Sequence, residues 1–471
     1  MTTYLPVITR VGSISRLLKQ QTSQFKRYLS NINSPFQDDL SDFDLDDFGL
    51  EDFRHYKESP EVAKYREAQL KELLHNEAQP SQPTDTSQES LESIATKNEP
   101  TIIISKLNDP YLNLAIEDYV YSKIPISKTT PFKAHRLMFY TNSPCVVIGK
   151  NQNPWKEVNL PVMNRLGIPL IRRRSGGGTV VHDLGNVNYS FMSTKQEFDR
   201  FKFVNLIVEA VNGARITSTK IKVNHRGDIV TKDDIVSGDS GELKISGSAY
   251  KLSRGKSYHH GTMLLNSDLN RLKQVLHRDT TQVGLVDTSK TIDSVKAKVT
   301  NLQISQQSFI DLVSNGFKFE YGISGEPTTV ENENNDDPDK EFNEMMGLSD
   351  FANAIKSANV YQIDSDSIEL PQEVVSIADG LKSWEWKFGR TPLFMHTLEN
   401  LKLNISVKFT VDKGIIENVE LVGESHFNLL SELNERLCGV QYRGDLIEKA
   451  LSGNEATREL GSWLHNSIDG V

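Results

Sequence analysis

"RRRSGGGTVVHDLGN", residues 172–186, sets three arginines against three glycines, then three β-branched residues, a His-Asp step and a second glycine turn. Glycine carries no Cβ, so a triplet lets the backbone take positive φ and lets a ligand approach bare peptide groups. Consecutive exposed amides form an anion-binding concavity, and guanidinium groups add planar donors suited to carboxylate or phosphate. The stretch therefore points to a site for an anionic, phosphorylated reactant. No Lys-Ser/Thr follows the glycines and no strand-to-helix step frames them, which excludes a Walker loop and a dinucleotide fingerprint. "TVVHD" and "VNYSFM" read as strands separated by "LGN", so the motif is expected in consecutive sheet hairpins.

Working outward, "TIIISKL" (101–107) reads as a strand and "YLNLAIEDYVYSKI" (111–124) as a helix, its apolar residues recurring at three and four. "CVVIG" (145–149) is a short buried strand, and "IPLIRR" (168–173) leads into the motif. Downstream, "GELKISGSAYKL" (241–252) and "SYHHGTMLL" (257–265) are joined around "SRGK" as another hairpin. Helices and antiparallel strands alternate without a regular βαβ repeat, which predicts an α+β or mixed α/β domain ending near residue 320.

The hairpin holds a second candidate cluster. In a strand Lys244, Ser246 and Ser248 share one face and Ile245 the other, while Gly247 allows close approach of a ligand or another backbone. A charged Lys244 would stabilise growing negative charge; a neutral, buried one would be a nucleophile. His259 and His260 are strand neighbours and point to opposite faces, so they do not grip one metal ion. Cys145 abuts "VVIG" with no adjacent base and reads as a buried packing residue.

The whole chain narrows the function. Of 471 residues, 37% are hydrophobic and 25% charged, the composition of a soluble globular protein with some disordered sequence. A net charge of −10 argues against a nucleic-acid surface. No apolar run reaches the roughly 18 residues needed to span a membrane. Cys145 and Cys438 are in no disulfide or zinc framework. The first 37 residues contain Arg10, Arg16, Lys19, Lys26 and Arg27 and no acidic residue, as a mitochondrial transit peptide does, so a matrix location is expected. An acidic stretch (38–53), a short helix (60–75) and a Gln/Ser/Pro/Glu linker (76–100) follow, and folded sequence is expected from Thr101. Residues 324–345 are an acidic insertion; beyond it, "SWEWKFGRTPLF" and the alternating run "LKLNISVKFTVDKGIIENVELVG", broken at Asp412-Lys413-Gly414, predict a small C-terminal α+β domain with two closing helices.

These segments together resemble the lipoate-protein ligase A family. The matching motifs are "NLAIEDYV" (113–120), "VVIGKNQNPWKE" (146–157), "RRRSGGGTVVHDLGN", "KISGSAY" (244–250), "YHHGTMLL" (258–265) and "SVKAKVTNL" (294–302), with "SWEWKFGRTPLF" and "YRGDL" (442–446) in the accessory part. The resemblance implies a biotin/lipoate ligase-like mixed sheet over 101–322, a linker over 323–366 and an accessory domain over 367–471 that moves during catalysis, after a leader (1–35) and a disordered region (36–100). It implies joining of lipoate or octanoate to AMP using ATP and Mg²⁺, then transfer to a lysine of lipoyl domains of 2-oxoacid dehydrogenase E2 subunits or glycine cleavage H protein. Lys244 would meet the acyl carbonyl and α-phosphate. Arg173, Ser175, Gly176, Gly177, Gly178, Thr179, Val180, Val181, His182, Asp228, Ser246, Gly247 and His260 would surround nucleotide and acyl chain, with Asp228 toward Mg²⁺.

One departure stands out. The ligases carry Gly-Arg-Asn-Asp before the catalytic strand, whereas this chain reads "HRGDIV" with Gly227 at the asparagine position and Asp228 retained. The alternative is thus a transferase of the same fold that takes lipoyl or octanoyl from an acyl-CoA, an acyl-adenylate or another lipoylated protein. A biotin ligase would carry a different glycine motif, and a retired binding protein would lose Lys244. N-terminal sequencing of protein purified from mitochondria is expected to start near Leu29 or Ser30; an intact Met1 would remove the leader from this account.

Overall fold

Thr101–Ser105 sets three isoleucines in a row between Thr and Ser, a composition for a strand covered on both faces, and it forms β1 inside a six-stranded sheet. The computed structural model describes residues 89–127, 130–231, 242–324, 356–365, 369–422, 427–453 and 455–470. The basic leader, the acidic stretch 38–53, the helix expected at 60–75 and the acidic insertion lie outside these residues. The sheet order is β14 (Asn359–Ile363), β1, β2 (Arg136–Tyr140), β6 (Asn186–Thr194), β10 (Lys256–Leu264), β9 (Ser248–Ser253). Its first three strands are parallel and the rest antiparallel. A three-stranded sheet places β3 (Cys145–Ile148) between β4 (Leu170–Arg172) and β5 (Val180–His182). A ribbon pairs β7 (Ile221–Val223) with β8 (Ile229–Thr231). The domain is mixed α/β, as its sequence pattern predicts.

Two hairpins are set by local chemistry. Arg254 and Gly255 both have positive φ (52° and 77°) between β9 and β10, and such two-residue turns match the right-handed twist of their strands. Lys413 and Gly414 (49° and 76°) do the same between β16 (Ile405–Asp412) and β17 (Ile415–Val422).

Elsewhere the architecture departs from the linear reading. β5 and β6 are not a hairpin: β5 pairs with β3, while β6 pairs with β2 and β10, so the Asp183–Asn186 turn carries the chain from one sheet to the other. Alternation reports which faces are apolar but not which strand lies alongside. Regular β9 pairing begins at Ser248, and Lys244 sits before it, bridged to Val230 on one side and Val299 on the other.

The domain limits differ as well. A helix at Leu91–Thr96, capped by Ser90, buries Leu91, Ile94 and Ala95 in the core that holds Tyr119 and Val120. The fully buried Arg136 donates to the carbonyls of Ala95, Lys97, Glu99 and His135. After the insertion, β14 extends the main sheet beside β1, and the helix Gln372–Lys382 buries Val374, Ala378 and Leu381 in the same core. β14 and the helix Gln372–Lys382 therefore pack with the sheet and core of the first domain, in a stretch read from the sequence as a linker and the start of the accessory domain. Their apolar positions are few and interspersed with Gln, Ser and Asp, which masks them in a compositional reading.

The C-terminal part has the antiparallel order β11 (Leu285–Asp287), β15 (Phe394–Asn400), β16, β17, with helices Phe427–Leu437, Gly444–Leu451 and Glu455–Ile468, one more than expected. Trp155 stacks on Phe394 and meets Tyr442 edge-on, so a single core runs from the small sheet into this layer. Arg172 joins the two: Nη1 donates to Lys150 O and Gln152 O at 2.9 and 2.7 Å, and Nε and Nη2 reach Lys387 O at 2.9 and 2.7 Å. Nη2 also meets Thr391 Oγ1 at 2.9 Å, and Trp386 Nε1 donates back to Arg172 O. Burial lowers the guanidinium to about 10, which leaves it charged at neutral pH. Arg172→Leu strands several buried carbonyls, and urea denaturation is expected to show a loss of about 3 kcal/mol or more; a loss below about 1 kcal/mol would contradict this role.

Candidate active site

Between the glycine loop and the start of β9 lies a cavity of about 280 Å³. Its walls include Arg173, Gly177–Val180 and His182 from the loop side, Lys244, Gly247 and Ser248 opposite, and Arg226 with Asp228 at the β7–β8 turn. Leu114, Tyr140 and Val147 add an apolar end, and Ser294 with its neighbours forms a rim. The sequence-predicted clusters, 70 or so residues apart in the chain, thus share one chamber.

The loop owes its shape to close backbone approach. A Cβ on Gly149 would lie 2.1 Å from Gly177 O, and Gly177 has φ +86°, so bare backbone is required on both sides. Thr179 N donates to Ser294 Oγ at 2.8 Å and Thr179 Oγ1 to Gln152 Oε1 at 3.0 Å. These fix the loop's far end to "VVIGKNQNPWKE" and to "SVKAKVTNL".

The arginines divide their work in a way the sequence conceals. Arg172 faces the C-terminal layer. Arg174 pairs with buried Asp118 at 2.5 Å, as Lys251 does at 2.6 Å. Arg173, 4% exposed, bends into its own loop: Nε to Ser175 Oγ at 3.0 Å, Nη1 to Val147 O at 3.1 Å, Nη2 to Gly176 O and Gly178 O at 2.5 and 2.7 Å. Arg173 moulds the loop through one hydroxyl and three carbonyls, and it also lines the cavity. The cations with side chains at the cavity and outside that lattice are Lys244 and Arg226.

Lys244 is held by its backbone: its N–H donates to Lys298 O at 2.8 Å and its carbonyl accepts from Thr300 N at 3.0 Å. Its ammonium meets Asp228 Oδ2 at 2.9 Å, and the two side chains are 25% and 10% exposed. Asp228 is placed by a tight turn in which its N–H and that of Arg226 both donate to Asn224 Oδ1, with Gly227 at φ +83°. Ser248 Oγ donates to Gly227 O at 3.2 Å and takes His259 Nε2 at 3.0 Å. Ser246 does not share the face of Lys244: it is fully buried against the Tyr189 hydroxyl at 3.2 Å, since the irregular backbone before β9 breaks the strand alternation. Ser175 and Val181 also sit behind the wall, Ser175 on His260 and Val181 in the small-sheet core. Gly176 supplies its carbonyl to Arg173.

Sequence reading passed over Asn142, Glu117 and Ser294. Asn142 Nδ2 donates to His182 Nδ1 at 2.9 Å, which marks a neutral ring. Glu117 and Ser294 lie inside motifs that were quoted, but a helix position and a loop serine carry no signal of their own. Among the described residues, no three His, Cys, Asp or Glu side chains gather as a metal cluster, and no helix is long and apolar enough to cross a membrane. Cys145 is fully buried, and burial pushes its thiol well up, as befits a packing residue.

Buried neutral histidines make stability pH-dependent. Burial, with Arg173 and His260 adding, lowers His182 to about 3; burial, with His260, lowers His259 to about 3; burial lowers His396 to about 4. Unfolded histidine titrates near 6.5, so below that pH the unfolded chain takes up protons that the folded one refuses. Their stability contribution is complete above about pH 6.5 and is lost progressively as pH falls toward 3 to 4. The urea midpoint is expected to fall between pH 7 and pH 5, and an unchanged midpoint would show that these rings protonate in place.

Comparisons with known proteins agree with the geometry. Residues 109–318 match the lipoyl protein ligase A/B catalytic domain, and 404–468 the bacterial lipoate protein ligase C-terminus. The chain is 33% identical to the putative lipoate-protein ligase A of Schizosaccharomyces pombe over 371 residues, 78% of this chain and 93% of that one. Among solved structures, P. falciparum LipL1 in complex with lipoate is 23% identical, with a TM-score of 0.44 over 78% of this chain and 99% of that one. Lipoate-protein ligase A bound with ATP is 20% identical, with a TM-score of 0.38 over 62% and 98%. With a glycine loop facing Lys244 across one chamber, and with that curated relative matched over most of both lengths, this chain is an enzyme of the lipoate-protein ligase A family.

Proposed function

We propose that the protein activates lipoate or octanoate with ATP and passes the acyl group to a lysine of a lipoyl domain, on a 2-oxoacid dehydrogenase E2 subunit or a glycine cleavage H protein, in the mitochondrial matrix. The observation that carries this reading is the shared cavity of Lys244, Asp228 and the glycine loop. A carboxylate is a poor electrophile until it bears a leaving group, and forming its mixed anhydride with AMP gathers negative charge on phosphate. Lys244, held in place by its backbone on both sides, presents a positive charge there. Asp228 restrains the ammonium laterally at 2.9 Å, so Lys244 acts as an electrostatic clamp and the nucleophilic amine comes from the acceptor. The apolar end around Leu114 and Val147 suits the acyl chain.

The donor set also fits Mg²⁺. That ion uses one or two carboxylates and fills its remaining positions with phosphate oxygens and water, and Asp228 and Asp293 are the carboxylates among the residues that line the cavity. When bound, Mg²⁺ would neutralise polyphosphate charge.

A second reading rests on Gly227. A Cβ there would stand 2.9 Å from the Tyr250 hydroxyl, so the space at this turn is already filled and no amide side chain enters the site. Without that amide the protein would accept a preformed acyl donor instead of making one. Purified protein with ATP, Mg²⁺, lipoate and an unmodified lipoyl domain separates the two: mass gain that depends on ATP supports the ligase, and gain only from octanoyl-CoA or an octanoylated donor protein supports the transferase. Lys244→Ala is expected to lower either activity on the order of 100-fold or more with the fold retained; near-normal turnover would remove the clamp.

A further inference from the structure

The helix Pro110–Lys123 contributes Glu117, a carboxylate 2% exposed that no step above uses. Its oxygens lie 3.0 and 3.1 Å from His260 Nδ1, and the opposite ring nitrogen lies 2.7 Å from Ser175 Oγ. Ser175 Oγ in turn takes Arg173 Nε at 3.0 Å. Four residues from three elements thus form one buried line that ends in the glycine loop.

The direction of each bond follows from donor and acceptor chemistry. A guanidinium only donates, so Ser175 accepts from Arg173. A carboxylate only accepts, so the ring's Nδ1 carries its hydrogen toward Glu117. With Nδ1 protonated, Nε2 of the neutral ring is bare and takes the hydroxyl hydrogen of Ser175. The line of bonds runs from Arg173 to Glu117, its last acceptor.

We propose that Glu117 is a positioning residue: by accepting the Nδ1 proton of His260 it fixes the tautomer that aligns Ser175 and Arg173, and so holds the glycine loop in its anion-binding shape. Arg173 transmits the setting, since three of its remaining hydrogens hold Val147 O, Gly176 O and Gly178 O. Glutamine at 117 still offers an oxygen to Nδ1–H. Leucine offers none and leaves a buried donor unmatched, which frees the ring to change tautomer or turn.

The inference rests on the acyl-transfer reading for its kinetic arm only. Transfer from lipoyl-AMP to a lipoyl domain is expected to show KM for lipoyl-AMP raised about tenfold or more in Glu117→Leu, with kcat within about threefold, because the loop grips phosphate in ground and transition states alike. Glu117→Gln is expected to restore KM to within about twofold. Ser175→Ala, which leaves the helix intact and cuts the line in the middle, is expected to reproduce the KM rise even if the leucine variant folds poorly. Selective ¹⁵N-histidine spectra of the wild-type protein test the line without any substrate: His260 is expected as the Nδ1–H tautomer. An Nε2–H ring, or a glutamine variant as impaired as the leucine one, would overturn the proposal. Wild-type protein with the Nδ1–H ring but no acyl transfer from any donor would sink the functional reading and leave the tautomer assignment standing.

Discussion

A guanidinium sealed inside a loop of bare backbone is the constraint from which the site follows. Arg173 cannot be buried unless its hydrogens are met, and the carbonyls that meet them belong to the glycines after it and to Val147. The glycines in turn permit the turn to fold back on the side chain and to touch Gly149 across the gap. Charge and backbone freedom are therefore mutually required, and the glycines that line the chamber are held there by that packing. Its two sequence neighbours project elsewhere, so three adjacent arginines fasten the loop, the C-terminal layer and the Pro110–Lys123 helix to a single short segment.

Opposite this rigid wall stands a side chain with latitude. Lys244 is fixed at its backbone by partners on both sides, while its ammonium rests on one carboxylate at the cavity edge. The paired histidines of β10 brace the two walls separately, His260 through Ser175 and His259 through Ser248 to the Gly227 turn. That arrangement realises the strand rule that neighbours point apart.

Much of this was legible from the residues. The isoleucine run, the 3.6-period helix and the two positive-φ turns each follow from a local preference that tertiary packing had no reason to override, and they appear where the pattern puts them. The site's main parts were legible because glycine triplets and a lysine beside Ser-Gly-Ser are rare combinations with few physical uses. What stayed hidden was relational. Nothing in "RRRSGGG" distinguishes an arginine that meets a ligand from one that meets its own carbonyls. Ser246 looked like a neighbour of Lys244 only while the segment was assumed to be a regular strand. β14 and the helix after it are short and polar on one face, and they join the first domain because the edge of β1 is free to receive them, a fact about the other end of the chain.

The junction of β12 (Ile323–Ser324) with β13 (Lys356–Ser357) has a consequence for the length of chain it encloses. The ladder clasps the two ends of the 325–355 interval together at the sheet margin, next to where β14 begins. Once the ends are clasped, doubling the interval adds only about 0.6 kcal/mol of closure entropy. The number of residues between the clasped ends is thus energetically separable from the strand pairings that build the chamber.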